Sequence, residues 1–243
     1  MDETMDCIFF TRAASLVALS VLSTVARGQQ DDLAQTYRVA YKVAVAKQSL
    51  ADELAPKGST ILIGDSILFY MPDMARLGPR LLNLSIVGDT TSGIVSRLSS
   101  YKSLGGAATI VLEGGVNDLQ FRVSHDEKTI ENYRYLIKSL AIKSKLVLLG
   151  IFRVDEKAPK VRPGWNARID LINEAAFAAC RSTPDCLVVD LNPLLSDSDG
   201  NLRQKYHRVI DGIHPNNLAY DEVIVPKLKA AVDNSVSGRK AQE

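Results

Sequence analysis

Thr60-Ile61-Leu62-Ile63-Gly64-Asp65-Ser66-Ile67 decides how the rest of the chain reads. Three large aliphatic residues follow a β-branched threonine without polar alternation, then give way to glycine, acid and hydroxyl. A short unbroken apolar run is the mark of a strand buried on both faces of a parallel sheet. The turn that follows leads into a helix and leaves Ser66 at the strand's carboxyl end. There a helix N-terminus can stabilise negative charge near the serine oxygen. Gly-Asp-Ser is also a common turn composition, so the tripeptide alone assigns no chemistry.

Runs of the same kind recur outward from this point. Leu81 to Val87, Ala108 to Leu112, Lys145 to Leu149 and Cys186 to Leu191 are short and rich in Ile, Leu and Val. Helical patterns lie between them, at Thr129 to Ala141 and Asn166 to Cys180, and a last helix is expected from about Leu218 to Val232. Strands alternating with helices predict an α/β fold, a three-layer α/β/α sandwich around a five-stranded parallel sheet. Upstream, Asp31 to Leu54 carries Leu33, Tyr37, Ala40, Ala44 and Leu50 near helical spacing, and Pro56 stops it. The expected organisation is therefore an N-terminal helix in 29–56, one domain over 57–232 and a polar, frayed tail at 233–243.

At 243 residues the chain suits one well-buried domain. Its 46% hydrophobic and 23% charged residues are ordinary for a globular protein, and a formal net charge of +1 gives no pull toward nucleic acid. No internal repeat or block of like charge stands out. The first 28 residues differ: Arg12 precedes an apolar run from Ala13 to Ala26, and Ala26-Arg27-Gly28 places small residues before Gln29. This predicts a signal peptide and export to the periplasm or medium, since a bilayer span needs about 20 apolar residues. Acidic Asp2, Glu3 and Asp6 depart from the usual basic start. An uncleaved N-terminal membrane anchor is the alternative, but stable membrane insertion is not expected.

Cys7 falls in the leader, which leaves Cys180 and Cys186 on either side of a helix-to-strand turn. A disulfide and two half-buried thiols are both open readings. No second Cys/His pair has zinc spacing, and neither metal nor cofactor is expected.

Two further segments end strands, and a third lies near the C-terminus. Gly88-Asp89-Thr90-Thr91 follows the second, and a glycine there lets the backbone approach a substrate. Gly114-Gly115-Val116-Asn117-Asp118 follows the third and offers a neutral amide donor. Asp211-Gly212-Ile213-His214-Pro215-Asn216 lies near the C-terminus. An Asp and a His separated by two residues can bond to one another, fixing the tautomer that a general base requires. In open α/β sheets the functional loops gather at the carboxyl ends of strands, where all of these fall.

Together the four segments resemble the SGNH (GDSL-type) hydrolases, in whose blocks a serine, a glycine, an asparagine and a histidine recur in that order. The matches are Ser66, Gly88, Asn117 and His214, and the resemblance runs from about Ser59 to Val232. The second block and the Asp-Gly-Ile-His-Pro-Asn segment look most like bacterial periplasmic thioesterase/lysophospholipase/arylesterase members. Ser85 and Ala219 stand where many members have glycine, departures that bear on substrate class. The resemblance implies a flavodoxin-like sandwich and a serine esterase working through an acyl-enzyme. Ser66 would be the nucleophile, His214 its base and Asp211 the orienting acid, with an oxyanion hole from the N–H groups of Ser66 and Gly88 and the Asn117 side chain. The Gly-x-Ser-x-Gly elbow of ordinary α/β-hydrolases is absent. The implied substrate is a small acyl ester or an acylated carbohydrate. An O-acetyl esterase or acyltransferase acting on exported glycans is the alternative, and a pseudoenzyme that only binds acylated glycan is the rival from outside catalysis.

Other polar residues carry lesser expectations. His125 and His207 read as exposed loop histidines, Asp118 as a capping or turn residue, and Asp65 as an acceptor that supports its own turn. Trp165 is expected near the site mouth or packed on its own domain. Glu113 reads as buried against the sheet end, with no assigned role.

Overall fold

A computed structural model describes residues 38–121, 125–209 and 211–240. The leader expected at 1–28 lies outside them, as do residues 241–243. The chain divides into a unit of residues 1–46 and a unit of residues 47–243, and the sheet and the site belong wholly to the second. A helix, α1, spans 38–53.

Five parallel strands form one sheet in the order β2-β1-β3-β4-β5. They are β1 (Thr60–Ile63), β2 (Leu81–Asn83), β3 (Thr109–Leu112), β4 (Lys145–Leu149) and β5 (Cys186–Val189). The register sets Ile61 beside Leu82 on one side and Ile110 on the other. Successive side chains of a strand point to opposite faces, and here each face has its own core. Ile61, Ile63, Ile110, Leu112, Leu146 and Leu148 pack under α3 (Thr91–Leu98), α5 (Asp126–Ala141) and α6 (Trp165–Arg181). Leu62, Val111, Val147 and Leu149 pack on the other face under α2 (Ser66–Phe69), α7 (Asn192–Leu195) and α9 (Val225–Lys240). This is the expected three-layer sandwich, and it explains why the strands carry no polar alternation. The edge strands are the exception: β2 and β5 are only partly buried.

Two boundaries differ from expectation for local reasons. Strand β2 stops at Asn83, whose side chain accepts from Ser85 N at 2.9 Å and donates to Leu68 O at 3.0 Å, turning the chain. Pairing toward β1 nevertheless continues through Leu84 N to Leu62 O and Ile86 N to Gly64 O. At the C-terminus a short helix, α8 (Asn217–Ala219), passes into one wide π turn at Tyr220–Ile224 and then into α9. Pro226 lacks an N–H and cannot sit in a regular helix interior, and the wide turn just before it absorbs that defect. The helix then runs past Val232 to Lys240, helped by a 2.6 Å bond between Ser235 Oγ and Thr109 Oγ1 of β3.

The chain crosses from β2 over to β3 on the other side of β1. A sheet of this order opens a crevice at the carboxyl ends of β1 and β3, where connections leave in opposite directions.

Candidate active site

Ser66 lies at that crevice, one tight turn after β1. Asp65 caps the turn, its Oδ1 accepting from Ile67 N at 2.9 Å. The helix that follows is only the single turn Ser66–Phe69, so its dipole gives less to the serine than the sequence reading supposed. Tyr220, in the π turn 154 residues downstream of Ser66, fixes this turn from below by donating to Ile67 O at 2.7 Å. Ala219 beside it is fully buried.

The loop after β5 and α7 brings the histidine across. His214 Nε2 is 2.9 Å from Ser66 Oγ, and His214 Nδ1 is 2.8 Å from Asp211 Oδ2. With Nδ1–H given to the carboxylate, Nε2 is left as acceptor for the serine hydroxyl. Asp211 Oδ1 meanwhile accepts the amides of Ile213 and His214, each at 2.9 Å. Burial alone would raise the Asp211 pKa. The two amides and the imidazole outweigh it and hold the carboxyl below its ordinary range. Tyr70 turns an edge toward the imidazole at 6.4 Å between centroids, and the Arg208 guanidinium stands over the Tyr70 ring at 5.0 Å.

Gly88 falls in the turn from Ile86 to Asp89, closed by Asp89 N to Ile86 O at 3.1 Å. Its φ of +75° is a left-handed conformation that side-chain-bearing residues rarely adopt, which accounts for glycine there. Asn117, in α4 (Val116–Phe121), is buried, and its Nδ2 donates to Asp65 Oδ2 at 3.1 Å and to Asp89 O at 2.9 Å. The segments ending β1, β2 and β3 thus meet at this one amide. Asp118 points away from the crevice. Its oxygens accept from Thr91 N at 2.9 Å and Thr91 Oγ1 at 2.7 Å, so it caps the first turn of α3 as expected.

Several side chains stand elsewhere than expected or were not foreseen. His207 is buried, not exposed: Nε2 lies 3.2 Å from Asp155 Oδ2 and Nδ1 lies 2.9 Å from Arg208 O, packed beneath the His214 loop. The loop closes over it through the bridge between His207 and Pro215, a contact that local sequence does not signal. His125 is exposed, just before α5. Of its two expected readings Trp165 takes the packed one: the first residue of α6, it is buried in the core cluster with Ile169 and Ile172. Ser85 is buried and donates nothing from its hydroxyl among the described residues, while its carbonyl accepts from Gln48 Nε2 at 2.9 Å.

Arg97 was missed altogether. Though only 3% exposed, it donates Nε to Asp89 Oδ2 at 2.7 Å, Nη1 to Leu84 O at 2.9 Å and Tyr101 Oη at 2.7 Å, and Nη2 to Gly64 O at 3.3 Å. One guanidinium thereby ties the Ser66 turn to the Gly88 turn. The available signal was a cation beside Ile94 and Leu98 on the apolar stripe of α3, four positions before Tyr101.

Cys180 and Cys186 form a disulfide with Cα atoms 5.3 Å apart, joining the end of α6 to the start of β5, at the opposite edge of the sheet from Ser66. Among the described residues no group of three or more His, Cys, Asp or Glu could hold a metal ion, and no helix is long and apolar enough to cross a membrane.

A protein-family profile described as the GDSL-like Lipase/Acylhydrolase family matches residues 62–222. No curated protein matches the chain. Solved structures share its fold. A Streptococcus pneumonia protein named for platelet activating factor is 22% identical, with a TM-score of 0.73 over 84% of this chain and 99% of its own. A GDSL-like lipase from Bacteroides thetaiotaomicron is 17% identical, with a TM-score of 0.65 over 79% and 98%. The acetyl xylan esterase AlAXEase is 20% identical, with a TM-score of 0.56 over 72% and 99%.

Proposed function

Because the chain belongs to the GDSL-like lipase/acylhydrolase family and is a carboxylic ester hydrolase, we propose that it cleaves acyl esters through an acyl-enzyme on Ser66. The observation that carries this reading is the unbroken line from Ser66 Oγ to His214 Nε2 at 2.9 Å and from His214 Nδ1 to Asp211 Oδ2 at 2.8 Å. In the first step His214 takes the serine proton as Oγ adds to the ester carbonyl. The electron pair displaced onto the carbonyl oxygen is met by the N–H groups of Ser66 and Gly88 and by the Asn117 amide. The tetrahedral species collapses, the C–O bond to the alcohol breaks, and the imidazolium returns the proton to the leaving oxygen. Water then repeats the sequence on the acyl-enzyme and releases the acid. Asp211 keeps the imidazole oriented and stabilises its positive charge throughout.

Phe69, Tyr70 and Val87 are exposed next to these residues, a rim that favours an apolar acyl or aryl group. The fold shared with an acetyl xylan esterase favours, as second reading, removal of acetyl groups from carbohydrate. A sugar hydroxyl in place of water would make the same acyl-enzyme a transferase. The reading also has the enzyme exported with residues 1–28 removed, so N-terminal sequencing of the mature protein should begin at about Gln29.

The decisive experiment compares wild type with Ser66→Ala on p-nitrophenyl acetate, phenyl butyrate and acetylated xylan, alongside labelling by a fluorophosphonate. Turnover and labelling should both vanish in the variant. Retained turnover would overturn the assignment of the nucleophile.

A further inference from the structure

Glu113 immediately follows β3, and its N–H extends the ladder to Ile63 O at 3.0 Å. Its side chain folds beneath the turn that carries the nucleophile. A Cβ on Gly64 would lie 2.6 Å from Glu113 O and 3.2 Å from Glu113 Oε2, so only glycine lets the two segments lie this close. Glu113 is 1% exposed and the neighbouring Asp65 is 0% exposed, and the two carboxyl groups face one another.

The side-chain donors around this pair among the described residues, and the Ile67 amide, are engaged elsewhere or with Asp65. Ile67 N and Asn117 Nδ2 go to Asp65, the Tyr220 hydroxyl goes to Ile67 O, and the Tyr133 hydroxyl goes to Gly114 O. Arg97 spends its hydrogens on Gly64 O, Leu84 O, Tyr101 and Asp89. No side chain among the described residues donates to either oxygen of Glu113, and the Asp65 amide alone favours its charge. A carboxylate in that position would be desolvated, met by a single amide and no cation, and pressed against a second acid, an arrangement that buried charges do not sustain. A proton on Glu113 itself resolves it, because the carboxylic O–H then donates to Asp65.

We infer that Glu113 carries a proton in the working enzyme, donates it to Asp65, and so sets the carboxylate that holds both the Ser66 turn and the Asn117 amide. Glu113 is thus a positioning residue for ester hydrolysis. The electrostatics point the same way. Burial, then the Asp65 charge, hold Glu113 well above the ordinary carboxylate range, outweighing the opposite pull of the Asp65 amide. Asp65 is lifted by burial only to about 6, restrained by the Ile67 amide, by Glu113 and by His214, against a further push from Asp89. Tyr133 and Tyr220 also face Glu113 and are neutral. At neutral pH the pair therefore keeps one proton, on Glu113, and Asp65 is the anion. Charge-assisted bonds to that anion are about twice as strong as neutral ones, which matters for a turn that must hold Ser66 within reach of His214.

The proposal rests on the roles given to Ser66 and Asn117, and its test has one arm that needs no activity. At pH 7 the infrared difference spectrum of wild type minus Glu113→Gln should contain the carbonyl band of a protonated carboxylic acid; a carboxylate band in its place would overturn the inference. In the kinetic arm, Glu113→Gln still offers an N–H to Asp65 and should retain kcat within a few-fold. Glu113→Leu offers none, and kcat should fall about 10²-fold with little change in KM, the cost of a small misplacement of reacting groups. Wild-type kcat in a folded Glu113→Leu, or a loss in Glu113→Gln as large as in the leucine variant, would also overturn it. Should Glu113→Leu fail to fold, the infrared arm and the glutamine variant remain decisive. Absence of all esterase activity in wild type would instead count against the Ser66 reading and leave the infrared result standing.

Discussion

Asn117 Nδ2 donates to Asp65 Oδ2 at 3.1 Å, and its remaining amide hydrogen is taken by Asp89 O at 2.9 Å. The donor proposed for the oxyanion is thus fully engaged before substrate arrives, and must release one of these acceptors as charge builds on the carbonyl oxygen. An interaction formed only then lowers the barrier without tightening substrate binding.

Asn117→Ala should therefore lower kcat by about 10²–10³-fold with KM little changed, and fluorophosphonate labelling should persist at a reduced rate. Steady-state kinetics on p-nitrophenyl acetate checks this. A rise in KM at constant kcat would make Asn117 a substrate-binding residue.

Arg97→Met should be among the most damaging changes remote from the serine. It removes the cation from a buried pair whose side chains are each 1% exposed, a loss worth about 3–5 kcal/mol. Asp89 also supplies the carbonyl that Asn117 bonds, so activity should fall in the protein that still folds. Urea denaturation gives the stability, and adding Asp89→Asn should recover part of it by removing the stranded charge.

Stability should decline as pH rises from 4 to 6. Asp65 is raised from 3.8 to about 6 and Glu113 is raised well above its ordinary value, so the folded state binds more protons than the unfolded state in this window, and stability then falls with pH. Asp211 has the opposite sign: its contribution is complete above the ordinary aspartate pKa and is lost only as pH drops below it. Calorimetry should find a lower melting temperature at pH 6 than at pH 4.5, with the slope flattened in Asp65→Asn/Glu113→Gln. A midpoint that climbed across this window would contradict the buried pair.

Reducing Cys180–Cys186 should cost about 2 kcal/mol of stability and leave kcat unchanged. The bridge closes a six-residue separation at the start of β5, while the proposed chemistry lies at the carboxyl ends of β1 and β3. Melting curves and esterase rates with and without reductant separate the two effects.

The central strands and the four site segments were legible because each is a local pattern. An apolar run such as Thr60–Ile63 declares its burial, and Asp211 with His214 declares its pairing by spacing. Other features depended on partners distant in the chain. Arg97 looks like a surface residue of α3 until Gly64, 33 positions earlier, supplies an acceptor. His207 looks exposed until Asp155 and the bridge to Pro215 enclose it. Strand β2 shortened because Asn83 found Leu68 O, 15 positions away, a bond that composition does not advertise.

Asp211 and His214 are joined by ring and backbone three positions apart, whereas Ser66 meets His214 across 148. The proposed acid and base therefore travel as one hinged tool, and the proposed nucleophile is mounted on a separate frame. Gentle loosening of the molecule would draw these two parts away from each other while leaving each internally whole. Activity should then disappear at lower denaturant than the far-ultraviolet signal of the sheet does, and return within the time the loop needs to settle back. Such an enzyme is disarmed by parting well before it is dismantled.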